Sequence, residues 1–185
     1  DWIDERGRCY VPGDSAEYLA TVNLDFLANT LRWSFRRPAC PELFSQLRDS
    51  AAVSADGMPV VWLLRMLGCK VPERVTGVDL MQSAAKRLAR RNGRLFVIGG
   101  EGEIVERALL GLRAQYPGLS TGHLDVRVDQ EGRLLEAGNG AVMSDEAAAD
   151  FLDLVNAASP DLLCIALGNP KQELFFRRYR HLLKL

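Results

Sequence analysis

Short apolar runs along this chain repeatedly give way to a Gly, Asp or Asn turn and then to apolar residues at helical spacing. The first run, Tyr18-Leu19-Ala20-Thr21-Val22-Asn23, predicts a strand, and Phe26, Leu27, Thr30 and Leu31 then fall on one helical face. Ala51 to Ala55 predicts a second strand, ending at Asp56-Gly57. Pro59 suits a first helical position there, and Val60 to Leu67 continues the helix until Gly68 stops it. Thr76 or Asp79 is placed to cap a helix over Leu80 to Arg91, which Asn92-Gly93 closes. Arg94 to Ile98 reads as a buried strand and Gly99-Gly100-Glu101-Gly102 as a tight turn. Glu103 to Gln115 follows as an amphipathic helix with Ile104, Ala108, Leu109 and Leu112 inward. His123 to Val128 alternates like another strand. Ser144 should cap a helix with Asp145 and Glu146 in its first turn, where acids favour the dipole, and Ala148, Phe151, Leu152 and Val155 on its buried face. Asp161 to Leu167 predicts the last strand, and Gly168-Asn169-Pro170 opens a final helix.

Apolar strands alternating with helices predict an α/β chain: a single Rossmann-like domain over residues 1–185, with a mostly parallel sheet and helices on both faces. In such sheets ligands lie outside the carboxyl ends of the strands. Thr21, Asn23, Asp56, Gly99, Gly100, Gly168, Lys171 and Gln172 should gather at that edge.

Composition narrows the classes. The 185 residues can bury roughly 70% of their unfolded surface without staples. Lys and Arg number 23 against 24 Asp and Glu, a balance that argues against a dedicated nucleic-acid binder. No apolar run approaches the roughly 20 residues of a membrane span, and no signal peptide opens the chain. A chain without a starting Met is expected to be a fragment of something longer. Cys9, Cys40, Cys69 and Cys164 form no CxxC and read as incidental or buried thiols. With only His123 and His181, no zinc spacing exists, and neither a metal nor another cofactor is expected.

Several positions carry candidate chemistry, each beside a plainer role. Asp56 reads either as a cap for the helix at Pro59 or as a general base at the mouth of the sheet. The Gly99 to Gly102 turn reads as a structural turn or as an anion cradle; it lacks the GxGxxG spacing, and no Walker motif occurs. In Gly168-Asn169-Pro170-Lys171-Gln172-Glu173, a helix start, a cation and an amide donor suit a diphosphate, while capping with solvated Lys and Glu is the plainer reading. Arg74 is a surface arginine or a phosphate fork. Arg177, Arg178, Arg180 and Lys184 interleave with Phe175, Phe176, Tyr179, Leu182 and Leu183, which reads as core or as a basic amphipathic end on an anionic bilayer.

Taken in order, Thr21-Val22-Asn23, Ala55-Asp56-Gly57-Met58-Pro59-Val60-Val61-Trp62, Glu73-Arg74-Val75-Thr76-Gly77, Phe96-Val97-Ile98-Gly99-Gly100 and Pro160-Asp161 through Gly168-Asn169-Pro170-Lys171-Gln172-Glu173 resemble the WecG/TagA/CpsF family of bacterial glycosyltransferases, glycosyltransferase family 26, over roughly residues 18–178. The resemblance implies an inverting hexosyltransferase that moves a sugar from a UDP-sugar (N-acetylmannosamine, its uronic acid or glucose) to a polyprenol-diphosphate-linked acceptor in surface polysaccharide synthesis. It implies Asp56 as the base, Thr21 and Asn23 beside it in the acceptor pocket, Arg74 as the pocket arginine and Gln172 near the nucleotide-sugar. Many metal-dependent glycosyltransferases hold a cation with a DxD; this chain has none, so a metal-independent enzyme is expected. Pro59 stands where the family usually has a glycine, and Gly122-His123-Leu124-Asp125 departs from the usual pattern around the uracil. Family members continue with a further strand and a C-terminal membrane-attachment tail, which the reading expects to be absent here. The partners implied are the sugar donor, the lipid-linked acceptor and the inner face of the plasma membrane, where the full-length protein would sit peripherally from the cytoplasm. Self-association through exposed apolar surface is a further expectation. A nucleotide-binding module that lost catalysis is the alternative. An oxidoreductase is disfavoured by the missing dinucleotide fingerprint.

Overall fold

A computed structural model describes residues 17–31, 40–71 and 73–185, without the Leu31 side chain. Cys9 and the Leu31 side chain therefore lie outside the described residues. The elements run β1 (Leu19–Val22), α1 (Leu24–Leu31), α2 (Pro41–Arg48), β2 (Ala52–Ala55), α3 (Met58–Met66), α4 (Gly77–Ala89), β3 (Arg94–Gly99), α5 (Gly102–Gln115), β4 (Ser120–Leu124), β5 (Arg127–Val128), β6 (Leu134–Leu135), α6 (Asp145–Ala157), β7 (Leu162–Ala166) and α7 (Lys171–Tyr179). This is the expected α/β architecture with parallel pairing. The parallel strands fall in two ladders, however: β1 with β2, and β4-β3-β7 with β3 in the centre.

The alternation of side chains along β3 sorts the interior into two layers. Leu95 and Val97 face Ala85 and Leu88 of α4 and Leu109 and Leu112 of α5. Phe96 and Ile98 face Ala148, Leu152 and Val155 of α6 and Phe175, Phe176 and Tyr179 of α7. Helices thus cover both faces of this ladder. A smaller cluster of Val22, Phe26 and Val60 sits beside β1 and β2. The apolar residues near the C-terminus are core: Phe175, Phe176, Tyr179 and Leu183 are all buried, which leaves Arg177 and Arg178 as their solvated flank.

Three sequence expectations change. In α5, Val105, Leu109 and Leu112 turn inward, while Ile104 and Ala108 are exposed. Val105 fixes the rotation: its Cγ2 lies 2.6 Å from where a Cβ on Gly100 would stand, so the helix sits on the turn by that residue. The run from His123 to Val128 is two strands. The chain leaves the parallel ladder after Leu124, and β5 pairs antiparallel with β6, which carries Val126, Val128 and Leu134 into the α6–α7 core. Asp129 closes that hairpin by accepting from the N–H groups of Glu131 and Arg133, each at 2.9 Å. Finally, α2 escaped the sequence reading. It packs against α7 with Leu43 and Gln46 buried.

Cys40, Cys69 and Cys164 are free thiols, and burial pushes Cys164 up to about 11. No helix among the described residues is long and apolar enough to cross a membrane.

Candidate active site

The parallel register puts the ends of β1 and β2 side by side. Val22 pairs with Ala55, and the Asp56 N–H donates to the Val22 carbonyl at 2.8 Å. Asp56 is half-buried there. It does not cap α3: the N-cap is Gly57, at φ +116°, and Asp56 precedes it. Among the described residues nothing hydrogen-bonds or pairs with the Asp56 carboxylate. The capping role weighed from sequence is thereby removed, and a carboxylate stands open at the mouth of the ladder.

The other residues expected on this side collect around it. Asn23 follows β1 directly, and its Oδ1 accepts from the Phe26 N–H at 2.9 Å, so it caps α1 as well as lining the edge. Thr21 pairs with Ser54 and lies 3.8 Å, by its Cγ2, from where a Cβ on Gly77 would stand, at the start of α4. The segment carrying Arg74 is pinned beside β2, since the Val75 N–H donates to the Ala55 carbonyl at 3.0 Å. Thr76 and Asp79, weighed as alternative caps for α4, act together. The Asp79 N–H donates to Thr76 Oγ1 at 3.1 Å, and the Thr76 N–H donates to Asp79 Oδ2 at 3.1 Å. The hydrogen bonds from Thr76 hold the Asp79 carboxyl below its usual range. Arg74 itself is exposed.

A second group forms where β3 and β7 end. Gly99 pairs with Ala166, and Gly99, Gly100 and Gly168 take φ of +77°, +82° and +75°. A Cβ on Gly99 would come within 2.5 Å of Leu167 Cδ2, whereas one on Gly168 meets nothing within 4 Å. Packing alone therefore demands Gly99, and the open side belongs to Gly168. His123 Nε2 lies 3.0 Å from the Gly99 carbonyl. Lys171 and Gln172 form the first turn of α7, directly after Pro170.

Glu173 departs from the solvated role weighed for it. It is 1% exposed and lies beside Tyr18 and Asn169. Gln172 Nε2 donates to its Oε1 at 2.9 Å, while its Oε2 and the Asn169 Nδ2 are buried without partners. Burial pushes the carboxyl up, opposed chiefly by the hydrogen bond from Gln172. Burial, with the charge of Glu173 adding to it, likewise pushes the Tyr18 hydroxyl up.

The two ladders meet along one seam. Asn29 of α1 donates through Nδ2 to Asn169 Oδ1 at 2.5 Å, and the Tyr18 ring stacks on Phe176 with centroids 4.8 Å apart. Asp56, Thr21, Asn23 and Arg74 share the β1–β2 edge; Gly99, Gly100, Lys171 and Gln172 share the β3–β7 edge. Sequence reasoning missed Asn29, Asn169 and Glu173. Asn169 was legible only as a turn residue, and Glu173 reads as surface because nothing local shows that Tyr18 lies beside it. A cavity of about 90 Å³ bordered by Tyr18, Ala51 and Arg180 lies at the opposite, amino-terminal edge.

An arrangement with an open carboxylate on one side and glycine turns, a lysine and a helix start on the other suits proton removal from one reactant and charge stabilisation on a second. Residues 6–185 match the Glycosyl transferase WecG/TagA/CpsF family. Similar proteins include the N-acetylglucosaminyldiphosphoundecaprenol N-acetyl-beta-D-mannosaminyltransferases of Bacillus spizizenii, 24% identical over 94% of this chain and 58% of the relative, and of Bacillus subtilis, 24% identical over 98% of this chain and 62% of the relative. The Staphylococcus aureus enzyme of the same name is 27% identical over 69% of this chain and 44% of its own length. The chain thus spans less than two thirds of the length of each of these relatives.

Proposed function

Because the chain belongs to the WecG/TagA/CpsF glycosyl transferase family, we propose that it forms the catalytic core of an inverting transferase. The donor is a UDP-sugar of the N-acetylmannosamine type, and the acceptor is N-acetylglucosamine on a polyprenol diphosphate. The relatives' names carry the sugar and the acceptor. The open carboxylate of Asp56 at the end of β2 carries the mechanism.

Asp56 takes the proton from the acceptor hydroxyl as that oxygen attacks the anomeric carbon. The bond from that carbon to the diphosphate breaks on the opposite face, and UDP leaves with the electron pair. A positioned base contributes roughly 10²–10⁴ in rate, and preorganised donors at the departing charge contribute more. Lys171 and the first turn of α7 supply those donors next to Gly168, whose open side lets a diphosphate approach the backbone. Asn23 and Thr21 border the acceptor beside Asp56, and exposed Arg74 is free to reach a phosphate. In the absence of a DxD, these cationic and dipolar groups stand where a metal would otherwise act, so the reaction proceeds without one. The full-length protein works at the inner membrane surface, where its lipid-linked acceptor lies.

Titration calorimetry with UDP and UDP-N-acetylmannosamine, with and without EDTA, tests this reading. Binding that survives EDTA is expected. Binding that disappears with EDTA overturns metal independence, and binding of neither nucleotide by the full-length protein overturns the donor class.

A further inference from the structure

A buried carboxylate without a cation is costly, and an apolar residue of similar size is often as stable or more so. Glu173 is such a group: 1% exposed, with no ion pair among the described residues and one oxygen unpartnered. Its other oxygen holds Gln172 Nε2 at 2.9 Å. A carboxyl oxygen accepts, so Oε1 draws the N–H end of the neighbouring amide toward it. The nitrogen of Gln172 is drawn inward, and its carbonyl oxygen is left unpartnered and accessible at the β3–β7 edge. The sequence alone suggested an amide donor for a diphosphate; the geometry presents an acceptor instead. The turn that carries it is tied to the acceptor side of the site by the Asn29–Asn169 bond. A transferred sugar must lie between the diphosphate and the acceptor's base, so the sugar is the part of the donor that this oxygen meets.

We propose that Glu173 is a positioning residue. Its buried carboxylate holds the Gln172 amide by Nε2, so that Oε1 accepts a hydrogen bond from a hydroxyl or amide N–H of the sugar of a nucleotide-sugar. The inference rests on the donor class argued above and adds a specificity element to it.

Binding of UDP and of UDP-N-acetylmannosamine is measured by calorimetry for the wild type, Glu173→Leu, Glu173→Gln, Gln172→Ala, Gln172→Glu and the Leu/Ala double variant. Losing one such hydrogen bond should weaken the sugar nucleotide up to about tenfold. Glu173→Leu and Gln172→Ala are each expected to show that loss with UDP unchanged. Glu173→Gln still offers an oxygen to Nε2 and should rescue most of the affinity. The double variant should bind no worse than Gln172→Ala, because both act through one contact. Losses that multiply in the double variant, or UDP weakened as much as its sugar conjugate, overturn the proposal. Should Glu173→Leu not fold, Gln172→Glu decides. It keeps an outward-facing acceptor but removes the donor that Glu173 holds, so a loss matching Gln172→Ala supports the proposal and wild-type affinity refutes it. Failure of the full-length wild type to bind either nucleotide overturns the donor reading itself, and this proposal with it, and is distinct from all of these.

Discussion

Replacing Gly99 and Gly168 in turn by alanine separates two reasons for a glycine at a strand end. Both residues hold left-handed backbone, at φ +77° and +75°, which costs an L-residue ~1–2 kcal/mol. Both variants also lose some unfolded-state freedom, a gain of ~0.4–1 kcal/mol that cancels between them. What differs is space. A Cβ on Gly99 would stand 2.5 Å from Leu167 Cδ2 and 3.0 Å from the Ala166 carbonyl oxygen, whereas one on Gly168 has open surroundings. Overpacking of that kind costs ~1–3 kcal/mol, so Gly99→Ala should be less stable than Gly168→Ala by about that amount. Urea denaturation followed by far-UV circular dichroism reads the difference. With a slope of ~1–3 kcal/mol/M it appears as roughly a 1 M lower midpoint. Equal midpoints for the two variants would refute the argument that Leu167 closes the space over Gly99.

Asp56→Asn should leave UDP affinity nearly unchanged and cut turnover by about 10²-fold or more; unchanged turnover would remove Asp56 as the base. Thr76→Ala removes the side-chain half of the α4 capping box and should cost ~0.5–2 kcal/mol by denaturation, with a loss near zero counting against the box. Burial raises the Glu173 carboxyl in the folded protein, so its contribution to stability is present at low pH and is lost as pH rises from about 4.5 through its folded value. Measured as urea midpoints across pH, the wild type should therefore gain on Glu173→Gln as the solution is acidified. A wild type that instead loses ground on acidification would show that Glu173 is stabilised as the anion.

Much of this architecture was legible because local and global signals agree. Pro59 after Gly57, Ser144 before two acids, and Asn92-Gly93 after α4 mark helix ends by chemistry that needs no partner. The unbroken apolar run of β3 likewise announces burial on both faces. What escaped depends on contacts distant in sequence. The rotation of α5 is set by Val105 against Gly100, and no periodicity distinguishes that face from the one carrying Ile104. The β5–β6 hairpin is too short to outweigh the alternation that joined it to β4. At the candidate site, strand ends pointed to Asp56, Asn23, Gly99 and Lys171, since ligand edges follow from parallel topology. Glu173 did not stand out, because a glutamate in the first turn of a helix is ordinarily solvated. Its burial comes from Tyr18, more than 150 positions earlier in the chain.

The division of the parallel strands into two ladders has a mechanical side. Among the described residues no backbone hydrogen bond crosses from the β1–β2 ladder to β4-β3-β7; the seam is crossed instead by the Asn29–Asn169 bond, the Tyr18–Phe176 stack, the packing of α2 on α7, and α4, which starts beside Thr21 and packs on β3. One ladder carries the open carboxylate and the other the glycine turns and Lys171. The gap between the groups that would act on the two reactants is therefore governed by side chains that slide, not by a continuous sheet that must shear. Rocking one ladder against the other would widen or narrow that gap while leaving every strand pairing intact.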